Sequence, residues 1–324
     1  MLRRTYAYLS GVVLLISFAT TSMNALSFRK SDELLQLVPP GAEIVSGIAD
    51  AGNRNSVGGL LIVTADSNRD FDDALALLGV DSTRSITEAM AVISSSKAGF
   101  LDERLLLLEG RFDRGLIFKS ALHTGNQTIQ LDGEELVVVK PFRRDRKGMA
   151  DIRWLVILKD KILLFGVPAL VEKALTRFRS HEPPNSILLK RLGELNSDVD
   201  SWSIIALTPS APGQRVLLDE RLAFLRQVLQ NAEEFAVGIH YAQNARVSFS
   251  IHAPDVSRIP DSLTLAAFAQ AGLSSSRRLE LQNTSGDQQC ISGSFMVRRQ
   301  EFDEWLMGIQ QNRSSLVPLK GQGP

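Results

Sequence analysis

Short strand-like segments joined by tight turns recur from residue 42 onward and alternate with amphipathic helical segments. The clearest turn is Asp132-Gly133, which separates the strand-like runs 129–131 and 135–139 and is typical of a two-residue β-hairpin. Pro168 opens a helical segment, as proline often does at a first helical position. This mixture of local hairpins and helices predicts an α+β protein with a mostly antiparallel sheet.

The order of the predicted elements is the same in both halves of the chain: strand, helix, hairpin, helix, strands, helix. The second half contains a predicted hairpin with arms at 235–241 and 246–252. This repetition predicts two tandem, structurally similar modules at residues 37–179 and 199–313. Each is expected to be a mostly antiparallel sheet with helices packed on one face, and a ferredoxin-like βαββαβ unit is the candidate core.

A proline pair marks the break between the two predicted modules. Pro183-Pro184 lies within residues 180–198, which are predicted to form a linker with a short helix at 187–195. Residues 314–324 are predicted to be a disordered tail.

The first 25 residues contain the three parts of a secretory signal peptide. Arg3 and Arg4 form the basic start, the apolar stretch 11–19 follows, and small residues lead to Ala25. Cleavage is expected after Ala25 or, alternatively, after Ser22. An uncleaved anchor is the competing interpretation, since the uncharged span approaches the ~20 residues needed to cross a bilayer. We therefore expect a periplasmic or secreted protein, or one held to the membrane by this segment.

Charge and cysteine content exclude several classes of protein. The chain has 36 lysine and arginine residues and 36 aspartate and glutamate residues, which gives no support to a nucleic-acid-binding protein. Its single cysteine, Cys290, excludes an intramolecular disulfide, a cysteine-based zinc site and an iron–sulfur cluster. Neither a P-loop nor a dinucleotide-binding fingerprint is present. No cofactor, metal site or catalytic residue is therefore predicted.

The histidines and the cysteine offer weak signals of chemistry. His240 and His252 lie on the two arms of one predicted hairpin and would approach each other, but a metal site would need a carboxylate that the sequence does not identify. Cys290 alternates with Ser292 and Ser294, which predicts that it faces away from the main core. A reactive thiol is one interpretation. A structural role is favoured, because no neighbour in the sequence is placed to lower its pKa.

A basic patch lies in a predicted hairpin loop. Binding of anionic lipid headgroups or polyanions is one interpretation, and a solvated loop is the favoured one in a chain without net charge. The patch consists of Arg143, Arg144, Arg146 and Lys147.

The segment 32–42, which reads DELLQLVPPGA, resembles the start of exported bacterial proteins of unknown function. In those proteins a leader precedes a proline-containing opening and two α+β modules. Residues 108–112 and 164–171 are similar to their recurring strand–glycine and strand–helix junctions. The resemblance implies export and architecture, and it implies no catalytic residues.

The sequence is compatible with three functions. We expect first a non-enzymatic cell-envelope or secreted protein that acts by binding a partner, with no nucleic acid involved and membrane-surface contact left open. The alternative is a periplasmic carrier of a lipid or another apolar ligand, which a large apolar cavity would favour. The second alternative is an unrecognised hydrolase, which a serine or Cys290 near a histidine in a cleft would favour.

Overall fold

The structure is a computed structural model that describes residues 32–49, 86–95, 102–139, 152–195, 198–207, 223–259, 279–283, 290–302 and 304. All of these fall within one compact unit, Ser31–Pro324. The described elements are, in chain order, α1 (Asp32–Leu37), β1 (Ile44–Ala49), β2 (Ile86–Ser95), β3 (Asp102–Gly110), α2 (Arg114–His123), β4 (Gln127–Leu131), β5 (Glu134–Val139), β6 (Arg153–Leu158), β7 (Ile162–Gly166), α3 (Pro168–Ser180), α4 (Ser186–Glu194), β8 (Ser201–Ala206), α5 (Ala223–Leu229), β9 (Glu234–Tyr241), β10 (Asn244–His252), β11 (Leu279–Asn283) and β12 (Cys290–Arg298).

The twelve strands form one sheet in the order β11-β12-β10-β9-β8-β1-β2-β3-β7-β6-β5-β4. Every pairing in this sheet is antiparallel. The β4–β5 turn confirms the predicted hairpin, since Asp132 and Gly133 have φ values of 49° and 88°, as a two-residue turn with left-handed positions requires. The predicted α+β class with a mostly antiparallel sheet is therefore confirmed.

Strands from both halves of the chain share this sheet, because β1 pairs with β2 on one side and with β8 on the other. The division into two modules at residues 180–198 stays a prediction. The ferredoxin-like unit requires a helical crossover over a single strand. Among the described elements, the crossovers through α2 and through α3–α4 each pass three strands, so that unit does not form there.

Helices cover both faces of the sheet, whereas the sequence predicts helices on one face. Leu105 and Leu107 of β3 belong to a core that includes α1, α3 and α4. Leu106 and Leu108 point to the opposite face and share a core with α2. The orientation of α2 could not be predicted, because it carries apolar side chains on both its buried and its exposed sides. Helix α5 lies on the α2 side, where its Val228 joins the core of β8–β12.

The strand β1 was not predicted, although it lies at the centre of the sheet. It is buried along its whole length. Its Gly47 leaves room for the indole ring of Trp202 on β8, since a Cβ atom at this position would lie 2.4 Å from that ring. Continuous burial removes the alternation of polar and apolar residues by which a half-exposed strand is recognised.

Three of the predicted segments lie outside the described residues: the leader at 1–25, the basic patch and the tail at 314–324. Within the part of the chain that is described, no helix has the length and apolar character needed to cross a membrane.

Candidate functional site

Antiparallel pairing aligns three polar side chains in one row across β9, β10 and β12. His252 of β10 lies opposite Glu234 of β9 on one side and opposite Cys290 of β12 on the other. Ser250 precedes His252 by two residues and therefore points to the same face. This is the face that α1, α3 and α4 cover.

Helix α4 brings a fourth group, Glu194, onto this row. The helix begins after Asn185, whose side-chain oxygen accepts a hydrogen bond from the Ile187 amide at 2.9 Å. Leu188 and Leu192 are buried in the core between the helix and the sheet. The last turn of α4 consequently lies above the end of β10, where Glu194 contacts both Ser250 and His252.

The polar atoms of this cluster converge on one point. His252 Nε2 is 2.6 Å from Glu194 Oε2 and 2.9 Å from Ser250 Oγ. Ser250 Oγ is 3.1 Å from Cys290 Sγ and 3.1 Å from Glu194 Oε2. The ligand atoms of Glu194, His252 and Cys290 all lie within 4.8 Å of one another. We call Glu194, His252 and Cys290, with Ser250 beneath them, the C-terminal cluster.

Arg191 holds the carboxylate of Glu194 in place. Its Nη1 donates to Glu194 Oε1 at 3.1 Å, and its Nε donates to Glu234 Oε1. Arg191 thus occupies one oxygen of Glu194 and leaves the other, Oε2, directed at His252. A hydrogen bond from a neighbouring side chain, such as this one from Arg191, fixes the orientation of a side chain that binds a metal.

The C-terminal cluster is buried enough for interactions among its side chains to shift their pKa values. Burial opposes the imidazolium form of His252, whose exposed fraction is 8%, but contacts with Cys290 and Glu194 outweigh burial and raise the pKa of His252. Burial also opposes the Cys290 thiolate, yet hydrogen bonds from His252 and Ser250 outweigh it and lower the pKa of Cys290. The sulfur is therefore more readily ionised than an ordinary cysteine.

The geometry differs from that of a Ser-His-acid or Cys-His-acid triad. In a triad the acid binds Nδ1 of the histidine, and the nucleophile faces Nε2. Here Glu194 Oε2 and Ser250 Oγ both approach Nε2. One ring nitrogen carries either one proton or one lone pair. Nε2 therefore cannot bind the acid and activate the serine at the same time, as a triad would need. Sulfur, nitrogen and oxygen donors that surround a single point form instead the donor set of a transition-metal site.

Comparison with known proteins does not assign the chain to a family. No protein-family model matches the sequence, and no curated protein matches it significantly. A solved structure, crystal form I of TP0453, matches with a TM-score of 0.48 and 11% sequence identity. That match covers 85% of this chain and 96% of the TP0453 chain. A likeness at this level says nothing about function.

The structure separates the two histidines that the sequence places on one hairpin. His240 lies opposite Arg246, whereas His252 lies opposite Glu234 at the other end of the hairpin. His240 Nδ1 is instead 3.1 Å from Asp200 Oδ2. The expectation that the two histidines approach each other is therefore wrong. The carboxylate that the sequence could not identify for His252 is Glu194.

Cys290 points away from the core of β8–β12, as its alternation with Ser292 and Ser294 predicts, since Ile291 and Phe295 are buried in that core. The count of one cysteine rules out cysteine-rich zinc sites, but a site with mixed donors needs only one thiolate. The alternating polar residues on β10 were a second signal of the cluster, because Ser248, Ser250 and His252 mark a polar face.

The predicted binding residues Arg143, Arg144, Arg146 and Lys147 lie outside the described residues.

Proposed function

We propose that this chain is a non-enzymatic exported protein that binds one thiophilic divalent metal ion, of the zinc class, at the C-terminal cluster. The observation that supports this function is the convergence of one ligand atom each from Glu194, His252 and Cys290 within 4.8 Å of one another. Export rests on the leader at residues 1–25 and binding rests on the cluster, so the two parts are tested separately.

The donor set favours zinc over the harder cations. Zinc accepts cysteine sulfur, histidine nitrogen and carboxylate oxygen at about 2.0–2.3 Å, usually with four ligands in a tetrahedron. Calcium and magnesium prefer oxygen ligands alone. Glu194, His252 and Cys290 supply three ligands of three different kinds. The fourth position falls to the neighbouring Ser250 hydroxyl or to a water molecule.

Binding is measured by competition between the reduced, purified protein and a chromophoric zinc chelator. We expect one zinc ion per chain. Cys290→Ser and His252→Gln each remove one ligand and are expected to weaken zinc binding by about 100-fold or more. This loss is larger than the one expected when a residue that only supports a ligand is replaced. Glu194→Gln keeps the shape of the side chain and removes its charge, and a smaller loss is expected.

The matched control is Ser294→Ala, because Ser294 lies on the same face of β12 as Cys290, four residues away. This variant is expected to bind zinc like the wild type. A wild-type chain that binds no zinc, or Cys290→Ser and His252→Gln variants that bind it unchanged, would contradict the proposal. Circular dichroism shows whether each variant keeps the fold.

A further inference from the structure

Glu234 lies beside the C-terminal cluster without belonging to it. It is directly opposite His252 in the β9–β10 register, where the Cβ atoms of facing residues are about 4.5–5.5 Å apart. Its Oε1 accepts a hydrogen bond from Arg191 Nε, and Arg191 Nη1 donates to Glu194. In the described part of the chain, the converging ligand atoms come from Glu194, His252 and Cys290, and Glu234 is not in this set. Glu234 therefore acts on the cluster through its charge.

The charged side chains around the cluster are largely shielded from solvent. The exposed fractions of the side chains of Arg191, Glu194 and Glu234 are 17%, 23% and 20%. Charges in such surroundings interact more strongly than they do in bulk water, and salt screens them less. The negative charge of Glu234 consequently contributes to the affinity for any cation held between the ligands.

The charges of this network match a divalent ion. A bound metal requires Cys290 as the thiolate and His252 as the neutral imidazole. Glu194, Glu234 and the thiolate then carry three negative charges, and Arg191 carries one positive charge. A divalent ion neutralises the net charge of these groups, whereas a monovalent ion leaves one negative charge uncompensated. An uncompensated charge is costly where solvent is largely excluded.

The donor atoms alone do not separate Zn²⁺ from its monovalent competitor Cu⁺. Thiolate and imidazole ligands bind both metals, and the two ions have the same filled d shell but differ by one unit of charge. We propose that Glu234 makes the C-terminal cluster prefer a divalent over a monovalent thiophilic ion. This inference rests on the metal binding proposed above and assigns the selectivity of that site to a residue that is not a ligand.

The affinities of wild type and Glu234→Gln for Zn²⁺ and Cu⁺ test this role. They are measured by competition with chromophoric chelators, with oxygen excluded for Cu⁺. Glutamine keeps the shape of the side chain and an oxygen that accepts from Arg191, but it removes the charge. Because the interaction energy is proportional to the charge of the ion, we expect Cu⁺ binding to weaken about tenfold and Zn²⁺ binding about 100-fold. The ratio of the two affinities then changes by about tenfold.

Two variants serve as controls, and circular dichroism shows whether each variant keeps the fold. Glu234→Asp keeps the charge, and Glu233→Gln removes the charge of the preceding residue, which is exposed to solvent. Both are expected to keep the wild-type ratio of Zn²⁺ to Cu⁺ affinity within about threefold, since solvent and salt screen an exposed charge.

The inference is overturned if Glu234→Gln weakens binding of both ions by the same factor, which is the result of a purely structural role. It is also overturned if Glu234→Asp or Glu233→Gln changes the ratio as much as Glu234→Gln does. A wild-type chain that binds neither ion contradicts the proposed metal site itself. A chain that binds zinc and keeps its affinity ratio in Glu234→Gln contradicts only the role of Glu234.

Discussion

A buried pair of serines lies at the centre of the sheet, where β1 meets β8. The hydroxyl oxygens of Ser46 and Ser203 are 2.8 Å apart. Both residues are fully buried, with exposed fractions of 0% and 1%. Each hydroxyl gives the other a hydrogen-bond partner at a position that water does not reach.

The two serines are expected to show strongly non-additive effects on stability. Ser203→Ala leaves the Ser46 hydroxyl buried without its partner, which costs about 1–3 kcal/mol, whereas removing both hydroxyls is nearly neutral. The free energy of unfolding, measured by urea denaturation of Ser46→Ala, Ser203→Ala and the double variant, checks this. A double variant whose loss equals the sum of the two single losses would contradict the pairing.

At the scale of the element, Arg177 connects α3 to two other segments. It donates to the Gln36 carbonyl of α1 at 2.8 Å and to the Pro183 carbonyl at 2.7 Å. It also pairs with the Glu182 carboxylate at 2.5 Å. A charged side chain with an exposed fraction of 8% is stable only because each of these contacts is made.

We expect Arg177→Gln to lower the free energy of unfolding by roughly 2–4 kcal/mol, since it removes the charge-assisted hydrogen bonds to the Gln36 and Pro183 carbonyls and the ion pair with Glu182. Arg179→Gln is the control from the same helix. Arg179 pairs with Asp132, whose side chain is 71% exposed, so its loss is expected to cost about 1 kcal/mol or less. Chemical denaturation of both variants measures the difference. Equal losses would show that Arg177 does not hold α3 to α1.

Local signals predicted most of the described elements. The hairpin β4–β5 followed from Asp132-Gly133 and α3 from Pro168, and α4 was expected as a short helix after the proline pair. The sequence did not predict β1, which is buried throughout and pairs with strands more than 35 residues away. Partners of that kind are decided by contacts between distant segments, which no local window contains.

At the scale of the molecule, the same reason explains why the C-terminal cluster was not predicted. Glu194 comes from helix α4, His252 from the end of a hairpin and Cys290 from a later strand. Sequence patterns singled out His252 and Cys290 but not Glu194, and the polar alternation on β12 correctly indicated the direction of Cys290. Their meeting depends on the β10–β12 register and on the packing of α4 over the sheet.

The continuous sheet predicts that the chain unfolds as one unit. Since β1 is hydrogen-bonded to β2 and to β8, neither half of the sheet can separate without breaking a full strand ladder. Differential scanning calorimetry is expected to give one transition, with equal calorimetric and van't Hoff enthalpies. Two resolved transitions would contradict this expectation and would support two independent modules.

The identity of the atoms around bound zinc tests the central claim most directly. X-ray absorption at the zinc edge, recorded on the loaded wild-type protein, should show one sulfur neighbour at about 2.3 Å together with nitrogen and oxygen neighbours at about 2.0–2.2 Å. The sulfur neighbour should disappear in Cys290→Ser. A first shell of nitrogen and oxygen alone in the wild type would contradict metal binding at Glu194, His252 and Cys290.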